Sequence, residues 1–193
     1  RPDPVRPVGS SVDNPDTATT YKEEEDDDRS IRPNACDPSE SYAYVIVTSE
    51  ELKNAAGPYA LTNLLACRQS AGLSAKIVTM TEVAANYTGV DSAERLRNFI
   101  TDAYNNWETD YVLLAGDTNI VPMRKLRCTA SSETDDIPSD LYFQCLDGTY
   151  NYDGDSLWGE TTDGEAGGDV DLVADVYIGR DNAENKNKKA NFV

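Results

Sequence analysis

YVLLAGDTNIVP, residues Tyr111 to Pro122, decides the fold class. Its first five residues, Tyr111–Ala115, form an uninterrupted apolar run that ends in Gly116-Asp117. Such a run leaves no position to face water. It is the pattern of a strand buried on both faces, as in a parallel sheet with helices on each side. Two similar runs precede it, Tyr42–Thr48 (YAYVIVT) and Leu73–Met80 (LSAKIVTM).

Helical signals separate the runs. Pro58 fits a first helical turn, Leu61, Leu64 and Leu65 share a face, and Gly72 is a terminator, so Pro58–Ala71 reads as a helix. Thr81–Asn86 reads as a short helical piece. Asp91 and Glu94 make a capping-box pattern, after which Leu96, Phe99, Ile100, Ala103, Tyr104 and Trp107 recur at helical spacing. Strand, helix, strand, helix, strand implies crossovers and a parallel sheet. The expected architecture is α/β, a doubly wound, mostly parallel sheet flanked by helices.

Beyond Pro122 the pattern loosens. Met123–Cys128 reads as a short strand and residues 129–139 as a polar acidic loop. Asp140–Leu146 (DLYFQCL) is compatible with strand or helix, and the Gly- and Asp-rich stretch 147–169 with a long structured loop. Asp175–Gly179 (DVYIG) reads as another buried strand, and a helix is expected from Asn182. Ala190, Phe192 and Val193 then lack a partner surface, so the sheet is expected to be incomplete in this chain. At the other end, residues 1–40 carry six prolines and the run Lys22–Arg29 (KEEEDDDR). They read as an acidic, extended leader or linker, ahead of a folded body over 41–193.

The 193 residues carry 35 acidic and 17 basic side chains, a net charge of −18. That balance opposes nucleic acid and anionic membranes, and no apolar run is long enough to span a bilayer. It fits solubility, cation binding or attraction of basic substrates. There is no histidine. A Ser-His-Asp triad, a Cys-His dyad and a His-ligated metal therefore cannot be built from these residues alone. Cys36, Cys67, Cys128 and Cys145 are spaced too widely for a zinc knuckle; disulfides and buried free thiols both remain open.

Two places carry possible chemistry. Gly116 and Asp117 follow a buried strand, where open parallel sheets bind ligands, although a turn would use the same residues. The loop Asn151-Tyr-Asp153-Gly-Asp155, followed by Glu160, Asp163, Glu165 and Asp169, is crowded with oxygen donors. Calcium wants six to eight such ligands; Asp153, Asp155 and Glu160 are the candidate set, against the alternative of a solvated Asx-turn loop. The spacing departs from the EF-hand, whose twelfth position would fall on Thr162. Arg124, Lys125 and Arg127 form a small basic cluster expected to neutralise nearby acids, and Asn86-Tyr87-Thr88 matches a glycosylation sequon.

Taken in order, YAYVIVT, the helix ending near Trp107, YVLLAGDTNIVP, SDLYFQCLDG (Ser139–Gly148) and DVYIGR (Asp175–Arg180) resemble the gingipain-type cysteine peptidases, family C25. The resemblance covers residues 42–193. It implies the first subdomain, and the opening strand of the second, of a caspase-like catalytic domain in a secreted endopeptidase. It further implies that His-Gly and Ala-Cys motifs lie on a downstream segment or partner chain, since neither is present here. In the family, acidic residues before the V-x-x-G-R strand lie near the pocket for a basic side chain. In Asp169-Val-Asp171-Leu-Val-Ala-Asp175 that role falls to Asp171, paired with a substrate Arg or Lys. The family's calcium sites add to the expectation for Asp153, Asp155 and Glu160. The competing expectation is a non-catalytic, calcium-stabilised binding module on the same scaffold.

Overall fold

The computed structural model describes residues 36–130 and 133–182. Four parallel strands form its centre: β1 (Tyr44–Thr48), β2 (Ala75–Thr79), β3 (Tyr111–Ala115) and β6 (Tyr177–Asp181), in the order β2-β1-β3-β6. Tyr44, Ala75, Tyr111 and Tyr177 stand in one row across the sheet. The helices are α1 (Glu50–Lys53), α2 (Leu61–Ser70), α3 (Met80–Asn86), α4 (Ser92–Trp107) and α5 (Leu141–Gln144). This mostly parallel sheet flanked by helices is an α/β arrangement consistent with a caspase-like fold.

The two faces are built differently. Val45, Val47, Val78, Val112 and Leu114 pack with Leu96, Phe99, Ile100 and Ala103 of α4, and the core continues into Tyr142, Phe143 and Tyr150. On the opposite face Ile46 and Ala115 meet Leu52 and Leu61, with Leu64, Leu65, Ile77 and Leu113 alongside. That second layer thins toward β6. There Tyr111 and Tyr177 stack 5.3 Å apart and stay exposed, Tyr177 at 67%.

Several boundaries shift from the sequence reading. The second helix starts at Leu61 and the last strand at Tyr177, because the amides of Asp175 and Val176 bond the Gln144 carbonyl instead of joining the ladder. The full capping box belongs to α3, between Thr79 and Glu82. At α4, Asp91 caps the Glu94 amide at 2.9 Å while Glu94 turns to the Val90 amide at 2.5 Å. The expected polar loop 129–139 is mostly strand: β5 (Glu133–Ser139) pairs antiparallel with β4 (Arg124–Ala130). Every β5 residue from Glu133 to Pro138 is exposed, so the hairpin carries no hydrophobic alternation for a sequence reading to detect.

All four cysteines are free thiols, buried at Cys36 and Cys145 and exposed at Cys67 and Cys128. Cys36 is held without a disulfide: its amide donates to Asp102 at 3.0 Å and its thiol lies 3.5 Å from the Tyr87 hydroxyl. Burial pushes that thiol up to about 12, so it stays protonated. Asn86 of the sequon is buried and donates to the Glu82 carbonyl at 2.8 Å, so this fold does not present it for glycosylation. The expected leader and the helix expected from Asn182 fall on 1–35 and 183–193, outside the described residues.

Candidate functional site

The strand exits are locked together. The Gly116 amide donates to the Asp181 carbonyl at 2.8 Å, and Thr48 Oγ1 donates to the Ala115 carbonyl at 2.7 Å. Gly116 has φ 149, and a Cβ there would lie 2.6 Å from Ile120 Cγ2, so the tight turn requires glycine. Asp117 closes that turn: its carboxylate accepts the Asn119 amide at 3.0 Å, and its carbonyl accepts the amides of Ile120 and Val121. Arg180 then ties three segments together. It grips Asp140 with two hydrogen bonds, at 2.8 and 2.7 Å, and donates to the carbonyls of Gly116, Val121 and Pro122. The SD and GR ends of two separate motifs thus form one ion pair, a bidentate geometry available to arginine and not to lysine.

A second arginine organises the acidic loop. Arg97, 7% exposed, leaves the apolar side of α4 and donates to the carbonyls of Tyr142, Cys145, Asp147 and Gly148 at 2.8–3.0 Å. Its guanidinium lies against the rings of Tyr142 and Tyr150. Asp163 is fully buried and accepts the amides of Tyr152 and Glu160 at 2.8 and 2.7 Å. Asp169 accepts from the amide and hydroxyl of Thr149. These two carboxylates are structural: they replace the ladder bonds that an irregular backbone lacks.

Held by that frame, Asp153, Asp155 and Glu160 bring one carboxylate oxygen each within 4.8 Å of one another. Partial burial, then the charge of Asp155, push the Glu160 carboxyl above its ordinary value, against the pull of Arg127. Asn151, which donates to the Asp155 carbonyl at 3.1 Å, has a buried side-chain oxygen with no hydrogen-bond partner among the described residues. Three converging carboxylates and an orphaned amide oxygen are a hard-oxygen donor set, so the residues present fit calcium.

Asp171 lies outside this cluster, in the segment leading into β6. Its Oδ1 accepts the Val173 amide at 2.9 Å, its other carboxylate oxygen has no hydrogen-bond partner among the described residues, and its carbonyl is held by the Tyr150 hydroxyl. Leu172 and Val173 beside it are 70% and 74% exposed. A half-buried carboxylate with one free oxygen, flanked by exposed apolar residues, can receive a guanidinium or ammonium.

The basic cluster divides as its neighbours dictate. Arg124, 7% exposed, bonds Asp91 through both terminal nitrogens at 2.6 and 2.8 Å and lies 3.6 Å over the Trp158 ring. Arg127 faces Asp136 across the hairpin at 2.9 Å, an ion pair without the alignment of a hydrogen bond. Desolvation pulls Asp91 upward, but the hydrogen bonds from Arg124 and the Glu94 amide outweigh it and hold the carboxyl below its usual range.

The sequence reading missed Arg97 and the Asp140–Arg180 pair. Arg97 carried a signal: it lies three residues before Ile100 and four after Ala93, on the stripe that packs inward. A cation on a buried stripe must find acceptors. The family model of Peptidase family C25 matches residues 37–193. No match is found among curated proteins or among solved structures.

Proposed function

The chain belongs to peptidase family C25, a family of cysteine peptidases, and from that premise we propose that it is the front portion of a secreted endopeptidase that cleaves after basic residues. With no histidine among its 193 residues, this chain needs a Cys-His dyad from a downstream segment or partner chain. The observation that carries this reading is the unfinished flank at β6. Among the described residues β6 pairs only with β3. The amide of Tyr177 and the carbonyl of Asp181 point toward β3, so by alternation the backbone groups of Ile178 and Arg180 point to the outer edge. The exposed Tyr111–Tyr177 stack beside it is an apolar face of the kind that a neighbouring layer covers.

In this reading Asp171 takes the basic side chain of the substrate and so fixes which carbonyl meets the nucleophile. Asp153, Asp155 and Glu160 would hold calcium, with the Asn151 amide oxygen as a further donor of the same loop, and the ion would supply charge neutralisation to the loop between the Arg97 clamp and β6. The competing reading, a calcium-stabilised binding module without a dyad, is favoured by the same absence of histidine.

One experiment decides between them. The chain is co-expressed with the segment that follows it in the gene, and hydrolysis of arginyl, lysyl and leucyl amide peptides is measured with and without a thiol alkylator. The expected result is alkylator-sensitive cleavage of the two basic peptides by the pair and none by either part. Asp171→Asn should then lower kcat/KM for the arginyl peptide by about 100-fold, ~2.7 kcal/mol, and leave the leucyl rate unchanged. An inactive pair, in which alkylation of the partner's cysteines changes nothing, overturns the peptidase reading. Equal loss on all three peptides removes Asp171 from the pocket.

A further inference from the structure

At the β2 edge of the sheet, the edge farthest in strand order from β6, there is a cleft of about 500 Å³ between α3, α4 and the segment 37–40. Its floor is apolar, formed by Val83, Phe99 and Trp107, all nearly inaccessible. Trp107 is 4% exposed, yet its indole Nε1–H has no acceptor among the described residues. A buried donor left unpaired is costly, so the site gains from a ligand that brings an acceptor oxygen. Among the described residues the charged lining is unbalanced: Asp37, Glu40 and Glu82 face one cation, Lys76. Lys76 is already committed, paired with Glu40 at 3.2 Å and lying 4.2 Å over the Trp107 ring. Lys53 reaches Glu82 from outside the lining only through a long, exposed contact at 3.4 Å. Hydrogen bonds from Ser39 hold the Asp37 carboxyl below its usual range, and those from Thr79 do the same for Glu82 against desolvation, so both are charged at neutral pH.

We propose that this cleft binds a basic segment of a second polypeptide: the cation of an Arg or Lys side chain meets Asp37 and Glu82 at the rim, its hydrocarbon stem enters the cleft above the apolar floor, and the Trp107 indole donates to a backbone carbonyl of the bound segment. The three parts of such a ligand match the three features of the cleft. An aliphatic stem suits the floor, a cation suits the rim, and a peptide carbonyl suits the orphaned donor. A purely apolar ligand would leave the Nε1–H unpaired, and an anion would meet the carboxylates. The site does not depend on a catalytic dyad, and it stands whether the chain works as a peptidase or as a binding module.

The test uses the full 193-residue chain with 15N-labelled indoles and the capped peptide Ala-Ala-Arg-Ala-Ala, beside analogues with norleucine or glutamate at the centre. The expected result is a saturable shift of the Trp107 indole N–H signal, assigned by its loss in Trp107→Phe. The arginine peptide should bind at least about tenfold tighter than either analogue. Asp37→Asn, at an exposed site outside the core, should weaken binding about threefold, and Trp107→Phe about tenfold. If Trp107→Phe fails to fold, Asp37→Asn still decides. No saturable shift, equal affinity for the three peptides, unchanged affinity in Asp37→Asn, or a response at Trp158 alone would each overturn the proposal.

Discussion

Arg97 and Arg124 leave α4 and β4 to do the same work in different surroundings. Among the described residues Arg97 pairs with no carboxylate; its charge is spread over four carbonyls. Replacing it removes the donors and leaves buried acceptors behind, the costly direction of a broken network. Arg97→Met should therefore destabilise the chain by about 3 kcal/mol or more in urea unfolding; a loss under about 1 kcal/mol would show that water replaces the guanidinium. Arg124 instead faces Asp91, whose carboxylate is 44% exposed, so the pair contributes about 1 kcal/mol at most. The folded-state value of Asp91 is depressed, so its contribution is present above the unfolded value near 3.9 and is lost as pH falls through the folded value. Asp91→Asn keeps an N-cap acceptor and removes the charge. Its deficit should be full at pH 7 and vanish once the pH is below the depressed folded value; a deficit that persists in strong acid would assign it to the cap instead.

Among the elements, the loop 149–169 and the β4–β5 hairpin hold the least hydrophobic signal and the most polar organisation. The hairpin meets the loop where the Arg127 amide donates to the Trp158 carbonyl at 2.7 Å and where Leu126 packs under Gly159. In that loop desolvation first, and the charge of Asp155 second, act on Glu160. Its folded value is raised, so the stability tied to its protonated form is present below the unfolded value near 4.3 and is lost as pH rises through the folded value. In chelator at pH 7, Glu160→Gln should melt above the native chain, and the difference should disappear near pH 4. Calcium at about one hundred times its Kd should reverse the order, raising the native melting temperature by about 5–10 °C and the variant's by less. Identical melting curves with calcium and with chelator would retire the metal site.

For the whole molecule, the asymmetry between the two flanks matters most. The β2 flank is packed by α1, α2 and α3, which leave open the cleft beside α4, and the face toward α4 is continuous with the second half of the chain through Tyr142, Phe143 and Tyr150. At the β6 flank the Tyr111–Tyr177 stack and Gly179 stay open. If that flank receives the partner half, Tyr177→Asp should leave the melting temperature of the isolated chain within about 2 °C, since a solvent-facing substitution costs little. The same change should lower the yield of the co-purified pair at least about tenfold, read by size-exclusion chromatography. Full recovery of the pair would place the partner elsewhere.

Burial and periodicity were legible one residue at a time. Tyr111–Ala115 is a strand and α4 buries Leu96, Phe99, Ile100, Ala103 and Trp107 as their patterns predict, because apolar surface must be covered; Tyr111 and Tyr104, counted in the same patterns, are exposed instead. The crowding of Asp153, Asp155 and Glu160 was also visible, since short spacing along one loop limits how far apart those groups can lie. Other features depend on distant segments and had no local sign. β5 has no apolar alternation because its faces meet solvent, and only pairing with β4 makes it a strand. The Asp140–Arg180 pair, the four carbonyls around Arg97 and the cleft beneath Trp107 each join residues 30 or more positions apart. Sequence by itself determined which segments had to be buried, because apolar surface is a property of each residue; only the tertiary structure decided which polar groups meet, because that depends on where separate segments come to lie.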